Sequence, residues 1–239
     1  LTKLMTALVS HERISPPVIL TIAPSSLLSE GDNGLLAGEE WRLRDLIGYT
    51  LLVSSNDGAR ALAAAAGHAV STTSESLQEP EALQTFVATM NERAAELGLT
   101  QTYFLNETGL DASEAVSGGY GSARDVARLL GAVIASIPEE IEITGADEVA
   151  IRSLSGVVHD AENTNEATAR IPALIGGKTG YTDLAGGNLA VAFDAGLARP
   201  VVVVVLGSTQ SGRFSDVEKL VWATLEYLAR CTPEKVVCV

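Results

Sequence analysis

The sequence predicts an α+β fold: an antiparallel sheet packed by helices, together with a mainly helical part that precedes it. Three observations predict it. Apolar residues recur at helical spacing through most of the first 135 positions, the pattern turns to alternation beyond residue 140, and an amphipathic helix closes the chain. The 239 residues are 46% hydrophobic, enough to bury a sizeable core, although much of that content is alanine and aromatics make up only 5%.

The elements follow in order. Residues 1–10 read as a helix that is apolar nearly all round and interrupted by Lys3. Residues 16–29 are irregular, with a short apolar Val18-Ile19-Leu20, and Gly31-Asp32-Asn33-Gly34 is a turn signal. Leu43, Leu46, Ile47 and Leu51 place a helix over Leu43 to Val53, ending at Ser54-Ser55-Asn56-Asp57. Asn56 or Asp57 then caps a second helix that runs through Ala66 and closes at Gly67. Residues 70–80 are Ser/Thr-rich and read as a loop; residues 81–97 form an amphipathic helix that stops at Gly98. Leu99 to Ser117 is irregular, and Ser122 caps a helix over 123–135.

Beyond residue 140, Ile141, Ile143, Val149 and Ile151 predict a hairpin around Gly145-Ala146-Asp147. A meander follows, with strands at 174–181, 188–194 and 201–206 and a turn over 195–200. Val201 to Leu206 is continuously apolar, which predicts a strand buried on both faces. The closing helix covers 214–229, and there is no internal repeat.

Charge and composition narrow the function. Sixteen Lys and Arg against 30 Asp and Glu give a net charge of -14, which excludes nucleic acid as the main partner because phosphate binding needs a basic face. His11, His68 and His159 are not at metal-ligand spacing, so no metal and no cofactor is expected. Cys231 and Cys238 could form a disulfide or be two unrelated thiols. No apolar run reaches the roughly 18 residues of a membrane span. The chain opens inside an apolar helix and stops inside an apolar run, so we expect a piece of a longer protein.

Three places could carry chemistry. Lys3, flanked by Leu1, Leu4, Met5 and Leu8, either snorkels to the surface or sits buried with a lowered pKa. A general base at neutral pH needs that lowering, by roughly 3 units. Ser54 and Asn56 sit between two apolar helices, either as a plain interhelical turn or as a proton relay and an amide clamp. Ile175-Gly176-Gly177-Lys178-Thr179-Gly180-Tyr181 is either a turn with a surface lysine or an edge strand along which an extended peptide could lie.

In order, these places match the motifs Ser-x-x-Lys, Ser-x-Asn and Lys-Thr-Gly of penicillin-binding proteins and serine β-lactamases. Leu1-Thr2-Lys3 would end the first motif, Ser54-Ser55-Asn56 is the second and Lys178-Thr179-Gly180 the third. With Asn106-Glu107-Thr108-Gly109-Leu110-Asp111, Ser122-Ala123-Arg124-Asp125 and the Gly212-Arg213 to Trp222 segment, the chain resembles the low-molecular-mass D-alanyl-D-alanine carboxypeptidases over essentially its whole length.

That resemblance implies a β-lactamase/transpeptidase-like fold, with residues 1–231 as the penicillin-binding catalytic domain and 232–239 as the start of a linker or C-terminal module. The nucleophilic serine would immediately precede Leu1. Lys3 would activate it, Ser54 would relay a proton to the leaving amine, Asn56 would bind the substrate backbone, and Lys178 would add positive potential and connect to Ser54. The Tyr181 N–H, after Gly180, would help hold the oxyanion. Thr179 and Arg213 would take the terminal carboxylate. The implied partners are a peptidoglycan stem peptide ending in D-Ala-D-Ala and β-lactam antibiotics, met outside the cytoplasm, with possible membrane attachment through segments not present. A serine β-lactamase would need a carboxylate to activate its deacylating water, and Glu114, Glu139 and Glu140 do not lie in a recognisable loop of that kind. A non-catalytic peptidoglycan-binding homologue would have little reason to keep Lys3, Ser54 and Lys178.

Overall fold

The computed structural model describes residues 1–15, 17–28, 30–31, 34–70, 78–196 and 198–230. The centre of the expected turn at Asp32-Asn33, most of the 70–80 loop, Leu197, both cysteines and the 232–239 module lie outside the described residues.

The first helix, α1 (Lys3–Arg13), is buried from Lys3 through Ser10. A helix that is apolar nearly all round must lie in the middle of the fold, and α1 does. Strands β1 (Ile19–Thr21) and β2 (Glu40–Arg42) pair antiparallel, so the apolar Ile19-Leu20 lies in a strand. Next come α2 (Leu43–Leu52) and α3 (Asn56–Val70). Ser55 caps α3, its Oγ accepting from the Gly58 N–H at 2.9 Å, which leaves the Asn56 side chain to other work.

Helix α3 continues past Gly67, where it was expected to stop. Helix α4 (Glu79–Glu96) crosses so closely that a Cβ on Gly67 would meet the Ala82 carbonyl. Glycine is there for the crossing rather than for the helix end. The capping box of Gln78 and Glu81 starts α4, and Gly98, at φ +67°, ends it. Short strands β3 (Tyr103–Phe104) and β4 (Gly119–Tyr120) close off a loop, and α5 (Ala123–Ser136) starts on the Ser122 cap as expected. Helices α2, α3, α4 and α5 surround α1.

The hairpin expected around Gly145 is displaced. Pro138, with its φ already helical, opens α6 (Pro138–Glu142), which buries Ile141, and a 3-10 turn carries Ile143. The hairpin pairs β5 (Glu148–Arg152) with β6 (Val158–Glu162). Only His159 and Ala161 of β6 face inward, so its apolar signal is weak.

The meander forms as expected from β7 (Leu174–Thr182), β8 (Gly186–Asp194) and β9 (Pro200–Ser208), in the spatial order β7-β8-β9, and α7 (Gly212–Arg230) closes the chain. The strand buried on both faces is β8. Its small Ala190 and Ala192 face the helical core, and its large Leu189, Val191 and Phe193 face α7 with Phe214, Val217 and Val221. The run of valines is outermost in the sheet, and only Val203 is fully buried there. The sheet thus lies between two layers of helix, with β7 at its edge against α6 and the 3-10 turn, and Gly180 of β7 beside Leu1.

Candidate active site

Seven of the eight candidate residues line one cavity of about 510 Å³: Lys3, Ser54, Asn56, Lys178, Thr179, Gly180 and Tyr181. Three parts of the fold meet there: the start of α1, the turn between α2 and α3, and the edge strand β7. Arg213 does not line the cavity.

Lys3 is buried, not snorkelled. Its Nζ donates to Asn56 Oδ1 at 2.6 Å and to the Thr108 carbonyl at 2.9 Å. Burial lowers its pKa to about 8, with Glu107 opposing. About a tenth of it is then neutral at pH 7, against well under a thousandth for an ordinary lysine. The Asn56 Nδ2 donates to the Glu30 carbonyl at 2.6 Å, so the amide is held at both ends.

Ser54 has a left-handed backbone, with φ 61°. This costs a non-glycine residue of order 1–2 kcal/mol. The twist ends α2 and turns the chain so that Ser54 and Asn56 both reach the cavity. Backbone strain of this kind gathers at functional sites.

Lys178 is 1% exposed. Burial, then Lys3, then Arg213 hold its pKa well below the ordinary value. Neighbouring cations thus act on Lys178, whereas at Lys3 burial alone does the lowering. Its Nζ donates to the Thr179 carbonyl at 3.1 Å and to Thr179 Oγ1 at 3.4 Å, so its bonds run to Thr179 and not to Ser54. Thr179 Oγ1 in turn lies 2.6 Å from Thr164 Oγ1.

The glycines of β7 divide their work. Gly176 makes room for the Ile141 carbonyl and Gly177 for that of Ala190, so these two serve close packing within the protein. Only Gly180 faces the start of α1; a Cβ there would come within 2.9 Å of the Leu1 nitrogen. Arg213, in the first turn of α7, is buried and donates through Nη1 to the Gly180 carbonyl at 2.8 Å.

Residue patterns did not disclose the role of the 106–111 loop. Asn106 is its hub: Nδ2 donates to the Leu110 carbonyl at 2.9 Å, and Oδ1 accepts from the Gly109 N–H at 2.7 Å. The loop so formed presents the Thr108 carbonyl to Lys3 and the Glu107 carbonyl to Thr6. Asp111 ties it to the far wall, accepting from Thr182 Oγ1 at 2.9 Å and from the Leu184 N–H at 3.2 Å. The signal that could have found it was a dense polar and glycine run inside an irregular segment. Among the described residues there is no cluster of His, Cys, Asp and Glu suited to a metal ion.

Buried lysines beside a hydroxyl and an amide, facing a strand edge, can activate a hydroxyl nucleophile and hold an extended peptide. The chain is also similar to known proteins. Residues 1–210 match the family described as D-alanyl-D-alanine carboxypeptidase, Peptidase S11. The chain is 32% identical to the D-alanyl-D-alanine carboxypeptidase DacB2 of Mycobacterium tuberculosis over 179 residues, 75% of this chain and 55% of that protein. It is 34% identical to DacA of Escherichia coli K12 over 156 residues, 63% of this chain and 36% of that protein. The chain thus spans about half, or less, of the length of these relatives. Among solved structures, a D-alanyl-D-alanine carboxypeptidase from M. tuberculosis H37Rv superposes with a TM-score of 0.77 at 26% identity, over 99% of this chain and 83% of that one. The Streptomyces K15 DD-transpeptidase shares the fold, with a TM-score of 0.76 at 21% identity over 95% of this chain and 86% of that one.

Proposed function

The chain belongs to the D-alanyl-D-alanine carboxypeptidase family, and from that premise we propose that residues 1–231 are the catalytic domain of a serine-type D-Ala-D-Ala carboxypeptidase. Its substrate is a peptidoglycan stem peptide outside the cytoplasm, and it takes β-lactams as covalent inhibitors. The observation that carries this reading is the buried Lys3, bonded to Asn56 and Thr108, beside Lys178 and the Gly180 edge. On this reading the nucleophile is the hydroxyl of a serine joined to the Leu1 nitrogen, which lies beside Gly180 of β7.

Neutral Lys3 takes the hydroxyl proton as the serine oxygen bonds to the carbonyl carbon of the penultimate D-alanine. The carbonyl electrons move to oxygen, and the Tyr181 N–H helps hold that oxyanion. When the oxygen's electrons return, the C–N bond breaks and the departing amine receives, through Ser54, the proton that Lys3 took, which leaves Lys3 neutral again. Water then attacks the ester; its proton passes to the site base, and the serine hydroxyl and the shortened peptide are released. Thr179 and Lys178 face the terminal carboxylate. That anion favours the charged form of Lys178 against the burial, Lys3 and Arg213 that lower its pKa.

The cavity favours this reading over a serine β-lactamase. Asp125 is its sole carboxylate among the described residues, and Asp125 Oδ2 already accepts from the Gln101 N–H and Thr102 Oγ1. Glu114, Glu139 and Glu140 do not line it.

The test is expression of the chain with the coding segment that precedes Leu1, followed by mass measurement after penicillin treatment. A stable covalent adduct on the preceding serine and release of D-alanine from a peptide ending in D-Ala-D-Ala are expected. Absence of an adduct, a residue other than serine before Leu1, or D-alanine release that survives Lys3→Ala overturns the assignment. Rapid hydrolysis of the penicillin identifies a β-lactamase instead.

A further inference from the structure

We propose that Arg213 is a positioning residue for the oxyanion-binding peptide, acting through the Gly180 carbonyl; the inference rests on the function proposed above. The Gly180 carbonyl and the Tyr181 N–H belong to one peptide unit. In a trans peptide these two bonds point in opposite directions. Arg213 Nη1 bonds that carbonyl at 2.8 Å, and Arg213 does not line the cavity whereas Tyr181 does. The guanidinium therefore lies on the carbonyl side of this peptide, and the Tyr181 N–H points the opposite way.

The guanidinium is itself fixed. It lies 4.7 Å from the Phe214 ring centroid, over a side chain that belongs to the core beneath the sheet. Arg213 is 8% exposed, and its Nε is buried without a hydrogen-bond partner. A buried cation is costly to keep, even with Glu166 favouring its charge, so its bond to the Gly180 carbonyl calls for a reason.

Charge-assisted bonding to the carbonyl does two things for the peptide. It adds to the β7–β8 pairing, in which Gly180 faces Asn188, in holding the plane of this peptide. It also draws electrons towards the carbonyl, which makes the Tyr181 N–H a stronger donor, as in any chain of hydrogen bonds. Both effects matter most when negative charge develops on the substrate oxygen. Arg213 acts on the transition state through its neighbour and touches no reacting atom. This differs from direct capture of the substrate carboxylate, and the two readings separate cleanly.

The experiment uses the full-length protein and two substrates. One is a peptide ending in D-Ala-D-Ala; the other is an N-acyl-D-alanyl methyl thioester, whose leaving group carries no carboxylate. Arg213→Ala is expected to lower kcat by roughly 10- to 100-fold on both, a part of what losing one oxyanion donor costs, with KM nearly unchanged on the thioester. Arg213→Lys, which restores one charged donor to the carbonyl, is expected to recover a measurable share of kcat on both. A loss confined to the peptide and expressed as a rise in KM overturns the inference in favour of carboxylate capture. Equal loss in both Arg213→Ala and Arg213→Lys, with folded fractions matched by urea titration, overturns it also. A wild-type protein that acylates neither substrate fails at the level of the proposed function itself.

Discussion

At the residue scale, two side chains are held in states that they would not choose in water. Lys3 is one. With its pKa lowered to about 8, the penicillin acylation rate should climb with pH and level off above about 8 as the neutral amine becomes the main form. Stopped-flow acylation from pH 6 to 9 checks this, and Lys3→Ala should lose about 10²–10⁴ of the rate. The same shift has a stability consequence. Between about 8 and the ordinary 10.5 the unfolded chain binds more protons than the folded one, so stability rises with pH across that window. Urea midpoints should increase accordingly, and Lys3→Met should remove part of the slope. Ser54 is the other. At φ 61° it is strained in a way that glycine is not, so Ser54→Gly should stabilise the fold by about 1 kcal/mol while removing turnover. Thermal melting together with D-alanine release tests both halves; a destabilised Ser54→Gly would mean that the turn carries no strain.

At the scale of elements, the 106–111 loop decides where the Lys3 ammonium sits. Its shape depends on Asn106, whose side chain bridges the Leu110 carbonyl and the Gly109 N–H. Asn106→Ala should cost about 1–3 kcal/mol, the penalty for leaving buried polar groups without partners, and should slow acylation because the Thr108 carbonyl no longer anchors Lys3. Denaturant titration and acylation kinetics on the same protein separate the two effects. Gly67 provides a contrast. A Cβ there collides with the Ala82 backbone, so Gly67→Ala should destabilise the α3–α4 pair by about 1–3 kcal/mol. Acylation per folded molecule should be little changed, since Gly67 lies about three turns along α3 from Asn56, the cavity residue at its start.

At the scale of the whole molecule, the buried Glu39–His159 pair joins the segment before β2 to the β5–β6 hairpin. His159 Nε2 lies 2.6 Å from Glu39 Oε1, beside the rings of Trp41 and Tyr49. Burial pushes the Glu39 carboxyl up, but bonds from His159, Ser153 and the Leu36 N–H more than offset that and leave it below its ordinary value of 4.5. Its folded pKa is depressed, so its contribution is present above 4.5 and is lost as pH falls through the lower folded value. Glu39→Gln should flatten the acid limb of the stability profile. His159→Ala should cost about 3–5 kcal/mol near neutrality by leaving a buried carboxylate without its partner. Circular dichroism melts from pH 3 to 7 read both. These two residues are 120 apart in the chain, and neither His159 in a weakly apolar strand nor Glu39 in a loop announces the other.

What the sequence determined by itself is the order and kind of most elements, and which residues to propose for the site. A helix buried all round, an alternating last third and an amphipathic close are local properties, because periodicity records which face of each element meets the core. Ordered motifs named Lys3, Ser54, Asn56 and Lys178 before any of them had a position. Tertiary structure decided what depends on which elements come close. It gave Gly67 to a helix crossing instead of a helix end, and moved the burial on two faces from the valine run to β8. It displaced the hairpin by letting Pro138 start a helix. Above all it assigned partners. The Thr108 carbonyl holds Lys3, Thr179 takes the Lys178 bonds, and Arg213 stands behind Gly180 rather than within the cavity. Each of these is a contact between groups far apart in sequence, and its strength depends on burial that no stretch of residues possesses until the chain has folded around it.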